Sequence, residues 1–353
     1  MRVLVATVQV PFVRGGAETL AEDLVSEMRK AGHECELASI PFSWNPPAKI
    51  LDHMLACRLL DLGGPSASNI DLIIGLKFPA YFVSHPNKVL WLIHQHRSAY
   101  NLWGNEQYGD LHNFPDGKMV RDAIRAADCR LIPEAQEVFA ISRQVTGRLA
   151  RFNGIKAEAL YHPPRDHSLY RSGDFGNYIL FPSRLNPAKR HHIAVEALKL
   201  CREPVRLKFL GPSEMPAYDT RLRALAGQLG VEDRIEWLGS VSQSEKIAAY
   251  ADSLAVVFPP VDEDYGYVTL EAMLARKAVI TCSDSGGPLE FVLDGSTGLV
   301  VEPSPRALAS AFDRLWGNRT EAVKLGENGR AHYDQMGIAW PAVIDRLVRD
   351  RRR

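Results

Sequence analysis

Short apolar, β-branched runs alternate with amphipathic helical stretches along most of this chain; the alternation stops once and then restarts. Strand, helix and strand in that order dictate a parallel sheet, because parallel neighbours need a long crossover that packs on one face. Val3–Val8 leads into a helix expected over Ala17–Lys30. Leu20, Leu24, Val25 and Met28 recur there at helical spacing, and Gly32 ends it. Glu36–Ile40, Asp71–Gly75, Lys88–His94 and Glu137–Ile141 read as further strands. His162–Asn177 carries proline, glycine and charge without a period, as linkers do. The pattern resumes with strands at Tyr178–Phe181, Val205–Leu210, Ile235–Leu238, Leu254–Pro259 and Ala278–Cys282, and helices around Ile193–Leu200 and Arg221–Leu229. The reading is α/β, with one unit over residues 1–165, a second over 166–335 and a last segment over 336–353, helical around Pro341–Arg351. A chain of 353 residues can build two such cores.

Composition excludes more than it selects. Lys plus Arg and Asp plus Glu both number 42, so net charge makes no case for a nucleic-acid partner. Cys35, Cys57, Cys129, Cys201 and Cys282 are scattered and odd in number, without a Cys-x-x-Cys pair, which fits reduced thiols in a cytoplasmic protein. The N-terminal Met-Arg-Val-Leu-Val-Ala-Thr-Val reads as a first strand, not a signal peptide. No apolar run approaches the roughly 20 residues of a membrane span. Arg349–Arg353 and the pair Arg121/Arg125 leave peripheral contact with an anionic membrane open, beside the commoner reading as solvated charge.

In open α/β sheets ligands bind outside the carboxyl ends of strands, at loop-to-helix junctions. Glu263 lies on such a loop and Glu271 about two turns into the following helix, with Tyr265, Gly266, Tyr267 and Val268 between. Gly266 permits close backbone approach, and first-turn N–H groups can meet an anion. Carboxylates for hydroxyls and amides for phosphates would suit a nucleotide-linked substrate. Gly15 and Gly16 join strand one to helix one, a second place where amides can face an anion. This is neither Gly-x-Gly-x-x-Gly nor a P-loop. Arg184 and Lys189 lie between a strand and a helix, a planar fork and a point charge for phosphate oxygens. His94 ends a strand, with His96 two residues on. No third metal ligand accompanies that pair, and no metal is expected.

Glu263, seven residues and Glu271, with glycine in the loop and Leu-Glu-Ala at the second carboxylate, resemble the signature of retaining glycosyltransferases of family 4. Gly-Gly-Ala-Glu at residues 15–18 and the Arg184/Lys189 spacing resemble that family's diphosphate-facing loop and clamp. The resemblance implies the GT-B architecture, two Rossmann-like domains with parallel sheets facing across a cleft, the first on the acceptor side and the second binding the nucleotide sugar, and a last helix that packs back on the first domain. It implies a retaining hexosyltransferase that uses a UDP- or GDP-linked sugar, a glycan or glycolipid acceptor, and no cofactor. Glu271 would hold the ribose, and Glu263 with the amides of Tyr265, Gly266 and Tyr267 would orient the sugar. Arg184, Lys189, Gly15 and Gly16 would neutralise the diphosphate, His94 would approach the donor sugar, and Gly211 would face the nucleotide. Two rival readings are a non-catalytic nucleotide-sugar-binding scaffold of the same fold and an NAD-dependent oxidoreductase.

Overall fold

Why the apolar runs become strands is plain from their burial in the computed structural model, which describes residues 1–62 and 70–349. Contacts divide the chain into Met1–Arg165 with Ala339–Arg353, and Asp166–Ile338.

The first unit runs β1 (Arg2–Gln9), α1 (Gly16–Lys30), β2 (Glu34–Pro41), α2 (Ala48–Leu59), β3 (Leu72–Lys77), β4 (Lys88–His94), α3 (Gly117–Leu131), β5 (Glu137–Ala140), α4 (Arg143–Asn153) and β6 (Glu158–Ala159). Its sheet is parallel, in the order β2-β1-β3-β4-β5-β6. β3 and β4 are buried on both faces, so they carry unbroken apolar runs instead of alternation. α1 buries Leu20, Ala21, Leu24, Val25 and Met28 as one stripe. α4 starts where the Ser142 hydroxyl accepts from the Val145 N–H at 3.1 Å, an N-cap that satisfies an otherwise orphaned donor.

The second unit runs β7 (Ile179–Pro182), α5 (His191–Leu200), β8 (Leu207–Leu210), α6 (Pro216–Leu229), β9 (Ile235–Gly239), α7 (Gln243–Ala251), β10 (Ala255–Val257), α8 (Tyr267–Leu274), β11 (Ala278–Cys282), β12 (Gly298–Val301), α9 (Pro305–Gly317) and α10 (Arg319–Met336). Its parallel sheet has the order β12-β11-β10-β7-β8-β9. Phe181, Phe209, Val257, Ile280, Leu198, Leu222, Leu308 and Phe312 meet in its core.

The chain then ends on the first unit with α11 (Trp340–Val348), whose Trp340 ring lies 6.2 Å from Trp91 and 5.8 Å from His162. His162 is itself fully buried. The stretch read as a linker therefore begins inside the first unit's core: its prolines erase periodicity, but its histidine packs between tryptophans. Asp350–Arg353, including most of the basic tail, lie outside the described residues. Among the described residues no helix is long and apolar enough to cross a membrane.

Both sheets reverse strand order once, between β1 and β3 in the first unit and between β7 and β10 in the second. At such a reversal the neighbouring crossovers leave in opposite directions and open a crevice beyond the strand ends, the place where α/β sheets bind ligands.

Candidate functional site

The loops after β7 and β10 meet at the second unit's reversal, where the Val261 N–H donates to the Ala188 carbonyl at 2.8 Å. Arg184 and Lys189 lie on the first loop, Glu263 and Gly266 on the second. Lys189 forms an ion pair with Glu263 in a partly buried setting. Arg184 donates to Glu214 at 2.8 Å, and Asn186 holds the other Glu214 oxygen at 3.0 Å. Arg190 adopts the left-handed conformation, φ 60°, that favours glycine, and its guanidinium reaches Asp284 at 2.7 Å.

Glu271 is the fifth residue of α8, little more than one turn in, because Gly266 at φ 95° starts the helix late. The expectation of about two turns placed the helix start too early. Only 6% of Glu271 is exposed. Tyr250 donates to one of its oxygens at 2.6 Å and Lys246 pairs with the other. Burial, and after it the Glu271 carboxylate, push the phenols of Tyr250 and Tyr170 well up, so both stay protonated. Lys246, Tyr250 and Tyr170 were not anticipated. The available signal was the four-residue spacing of Lys246 and Tyr250, which puts both on one face of α7.

The segment around Gly266 is held from behind. The Glu263 N–H donates to the Ser285 carbonyl at 2.9 Å, and the Gly287 N–H returns to the Glu263 carbonyl at 2.8 Å. The Tyr265 ring is buried against Tyr267 and Phe291, so Tyr265 has chiefly its backbone left for a ligand. Val268 packs partly on the core. Gly211 follows β8, where a Cβ would sit 2.4 Å from the Ser183 carbonyl, so two loops can touch only because it has none.

In the first unit, Gly15 caps α1 and its N–H is already taken by Glu18 at 2.8 Å, while Gly16 is the first helical residue. Glu18 in turn pairs with Lys77, at the end of β3, at 3.1 Å. Lys77 was also missed; a lysine closing an apolar strand was its only signal. His94 ends β4 with Nδ1 2.7 Å from the Gln95 carbonyl oxygen. His96 lies beyond the strand, so the two histidines are not successive positions on one strand face. The aromatic stretch after them partly folds inward. Tyr100 donates to the buried Asp128 at 2.7 Å, and the Arg121 guanidinium covers Trp103 at 4.2 Å. Arg125, the other half of the pair considered for membrane contact, donates to the Ala99 carbonyl at 2.8 Å.

Two six-stranded parallel sheets in an α/β chain, each with a reversal, define the GT-B fold, and solved structures agree. Sucrose-phosphate synthase from Thermosynechococcus elongatus matches with a TM-score of 0.79 at 17% identity, covering 98% of this chain and 97% of that one. Anabaena HepE, solved with UDP and glucose, matches at 0.72 and 18%, covering 99% and 98%. Residues 170–332 match the profile of the glycosyl transferases group 1 family, so the second unit carries that family's domain. Among curated relatives, D-inositol 3-phosphate glycosyltransferase of Corynebacterium glutamicum is 32% identical over 73% of this chain and 66% of its own length. D-rhamnosyltransferase WbpZ of Pseudomonas aeruginosa is 32% identical over 46% of this chain and 42% of its own. The matched region thus spans less than two thirds of either relative.

Proposed function

We propose that the chain is a retaining glycosyltransferase that moves a hexose from a UDP- or GDP-linked sugar to a glycan or glycolipid acceptor. The observation that carries this is the meeting of Arg184, Lys189, Glu263 and the Glu271 helix at the β7/β10 reversal. Relatives named as a glycosyltransferase and a rhamnosyltransferase, and a structural neighbour solved with UDP and glucose, support it.

In this reading Glu271, oriented by Lys246 and Tyr250, accepts from the ribose hydroxyls. The diphosphate draws Lys189 from Glu263 and Arg184 from Glu214. Both cations then face negative charge that grows as the sugar leaves, which is where fixed charge lowers a barrier most. Glu263, released from Lys189, accepts from the sugar's hydroxyls. No nucleophile is invoked. The acceptor hydroxyl attacks on the face that the diphosphate leaves, and a phosphate oxygen takes its proton. Arg184 and Lys189 supply the charge, so the reading calls for no resident metal or cofactor.

Calorimetric titration with UDP, GDP, ADP and NAD tests it. Micromolar binding of UDP or GDP is expected, with that affinity lost in Glu271→Ala. Binding of NAD alone would point to an oxidoreductase. Nucleotide-sugar binding without transfer to any glycan acceptor would favour a non-catalytic scaffold.

A further inference from the structure

Arg190 holds a backbone conformation that suits glycine better, with φ 60° and ψ 38°. An arginine persists there only where its surroundings fix it. What fixes it is a fork: Nη1 donates to Asp284 Oδ1 at 2.7 Å and Nη2 to Oδ2 at 2.5 Å. The Arg190 side chain is 13% exposed and that of Asp284 43%. A pair so open to water adds little stability, but two parallel bonds from a planar group fix orientation. The guanidinium also faces the Cys282 thiol, which burial holds up at about 12 against the pull of Arg190. That thiol is neutral at pH 7, so Asp284 supplies the charge.

The fork joins loops of strands that are not neighbours. Arg190 belongs to the loop after β7 and Asp284 to the turn after β11, and β10 lies between these strands. Two strand spacings are about 10 Å, so the pair bridges the loops on either side of the one that carries Glu263. That middle loop is bonded to both. The Val261 N–H donates to the Ala188 carbonyl at 2.8 Å, the Asp262 N–H to Asp284 at 3.0 Å and the Glu263 N–H to Ser285 at 2.9 Å. Arg190 and Asp284 close these contacts into a ring. Lys189, next along the chain, leaves this pinned backbone, its Nζ 5.5 Å from the centre of the Phe258 ring and paired with Glu263.

We infer that Arg190, through Asp284, is a positioning residue that sets where Lys189 meets the diphosphate. An ammonium on a flexible stem is placed by the backbone at its root, and about 1 Å of displacement is enough to lose a charge contact. The diphosphate role rests on the glycosyltransferase reading; the ring of contacts does not.

Two measurements on the full chain test it, and neither needs a known acceptor. Hydrogen exchange in the unliganded protein reads the ring. The amides of Val261, Asp262 and Glu263 should exchange several-fold faster in Arg190→Gly than in wild type, with Arg190→Lys between. Calorimetry with UDP, UMP, GDP and GMP reads Lys189, because the ratio of diphosphate to monophosphate affinity isolates the terminal phosphate. That ratio should fall about tenfold in Lys189→Ala, the loss of one charge-assisted contact. It should fall several-fold in Arg190→Gly with monophosphate affinity unchanged, and Arg190→Lys, which keeps the charge without the fork, should recover part of it. Adding Arg190→Gly to Lys189→Ala should lower it no further, since a residue acting through Lys189 then has nothing to place. Glycine suits the backbone at 190, so the thermal midpoint should stay near wild type; should Arg190→Gly unfold, Arg190→Lys decides by the same ratio. A wild-type ratio in the Arg190 variants would overturn the assignment. Equal losses for mono- and diphosphates, or a loss that adds in full to that of Lys189→Ala, would overturn it as well. Unchanged exchange would remove the ring. Wild-type protein that binds no nucleotide while Arg190→Gly speeds exchange would sink the glycosyltransferase reading, and the diphosphate role with it, and leave the ring standing.

Discussion

Lys189 and Glu263 hold each other, and that pairing makes Lys189 informative. An exposed surface pair contributes little, but this one is partly buried and sits where the diphosphate is proposed to bind. Lys189→Ala should lower turnover by roughly a hundredfold, the scale of losing one group aimed at developing charge, while unfolding free energy changes little. Steady-state transfer assays beside urea unfolding check this; wild-type turnover would remove Lys189 from the chemistry. A neighbour illustrates a different use of charge. His191 is fully buried, stacked 4.0 Å from Phe181 and edge-on to Phe209. Burial, and after it Lys189, hold its pKa down to about 3. The unfolded imidazole titrates near 6.5. A depressed folded pKa gives stability that is full above about 6.5 and is lost as pH falls toward 3. His191→Phe should therefore flatten the acid side of the stability profile, by up to about 1.4 kcal/mol per pH unit. Urea midpoints from pH 7 to pH 4 measure it, and an unchanged slope would contradict a neutral buried His191.

At the scale of elements, the second unit positions its two glutamates by different means. Glu271 is carried on α8 and steadied by Lys246 and Tyr250 of α7. Glu263 is carried on a loop that the 284–287 turn clasps through backbone bonds. That turn needs Gly286: its φ is 73°, and a Cβ would lie 2.6 Å from the Glu263 carbonyl oxygen. Gly286→Ala should cost about 1–3 kcal/mol of stability. It should lower turnover while leaving nucleotide affinity nearly unchanged, because Glu271 stands on a separately held helix. Calorimetry and transfer assays on the same variant separate these. A loss of nucleotide affinity as large as the loss of turnover would mean the two supports are not independent. Element boundaries show what the sequence could say here. Lys88–His94 and Ala278–Cys282 are strands with the limits read from their apolar runs, since a buried parallel strand needs only such a run. α2 was not seen beforehand. It buries only Ile50 and Cys57, so it has almost no apolar stripe to read.

At the scale of the whole molecule, the chain's last element belongs with its first unit. α11 buries Trp340, Val343, Ile344, Leu347 and Val348 there. Its Arg346 pairs with Glu158. Trp340→Ala should destabilise by about 3–5 kcal/mol, the usual cost of deleting a buried aromatic. Urea unfolding would show it, and a loss under about 1 kcal/mol would mean α11 docks without stabilising. The sequence alone determined the parallel α/β character, because strand–helix alternation admits no other sheet. It also singled out Arg184, Lys189, Glu263 and Glu271, because those residue types at those spacings resemble a signature. Only the tertiary structure decided what each of them touches: Glu214 on Arg184, Glu263 on Lys189, Lys246 and Tyr250 on Glu271. It alone set Arg190 against Asp284, two strands away. These partners come from separate segments, and strand order, which local periodicity does not encode, is what brings them together.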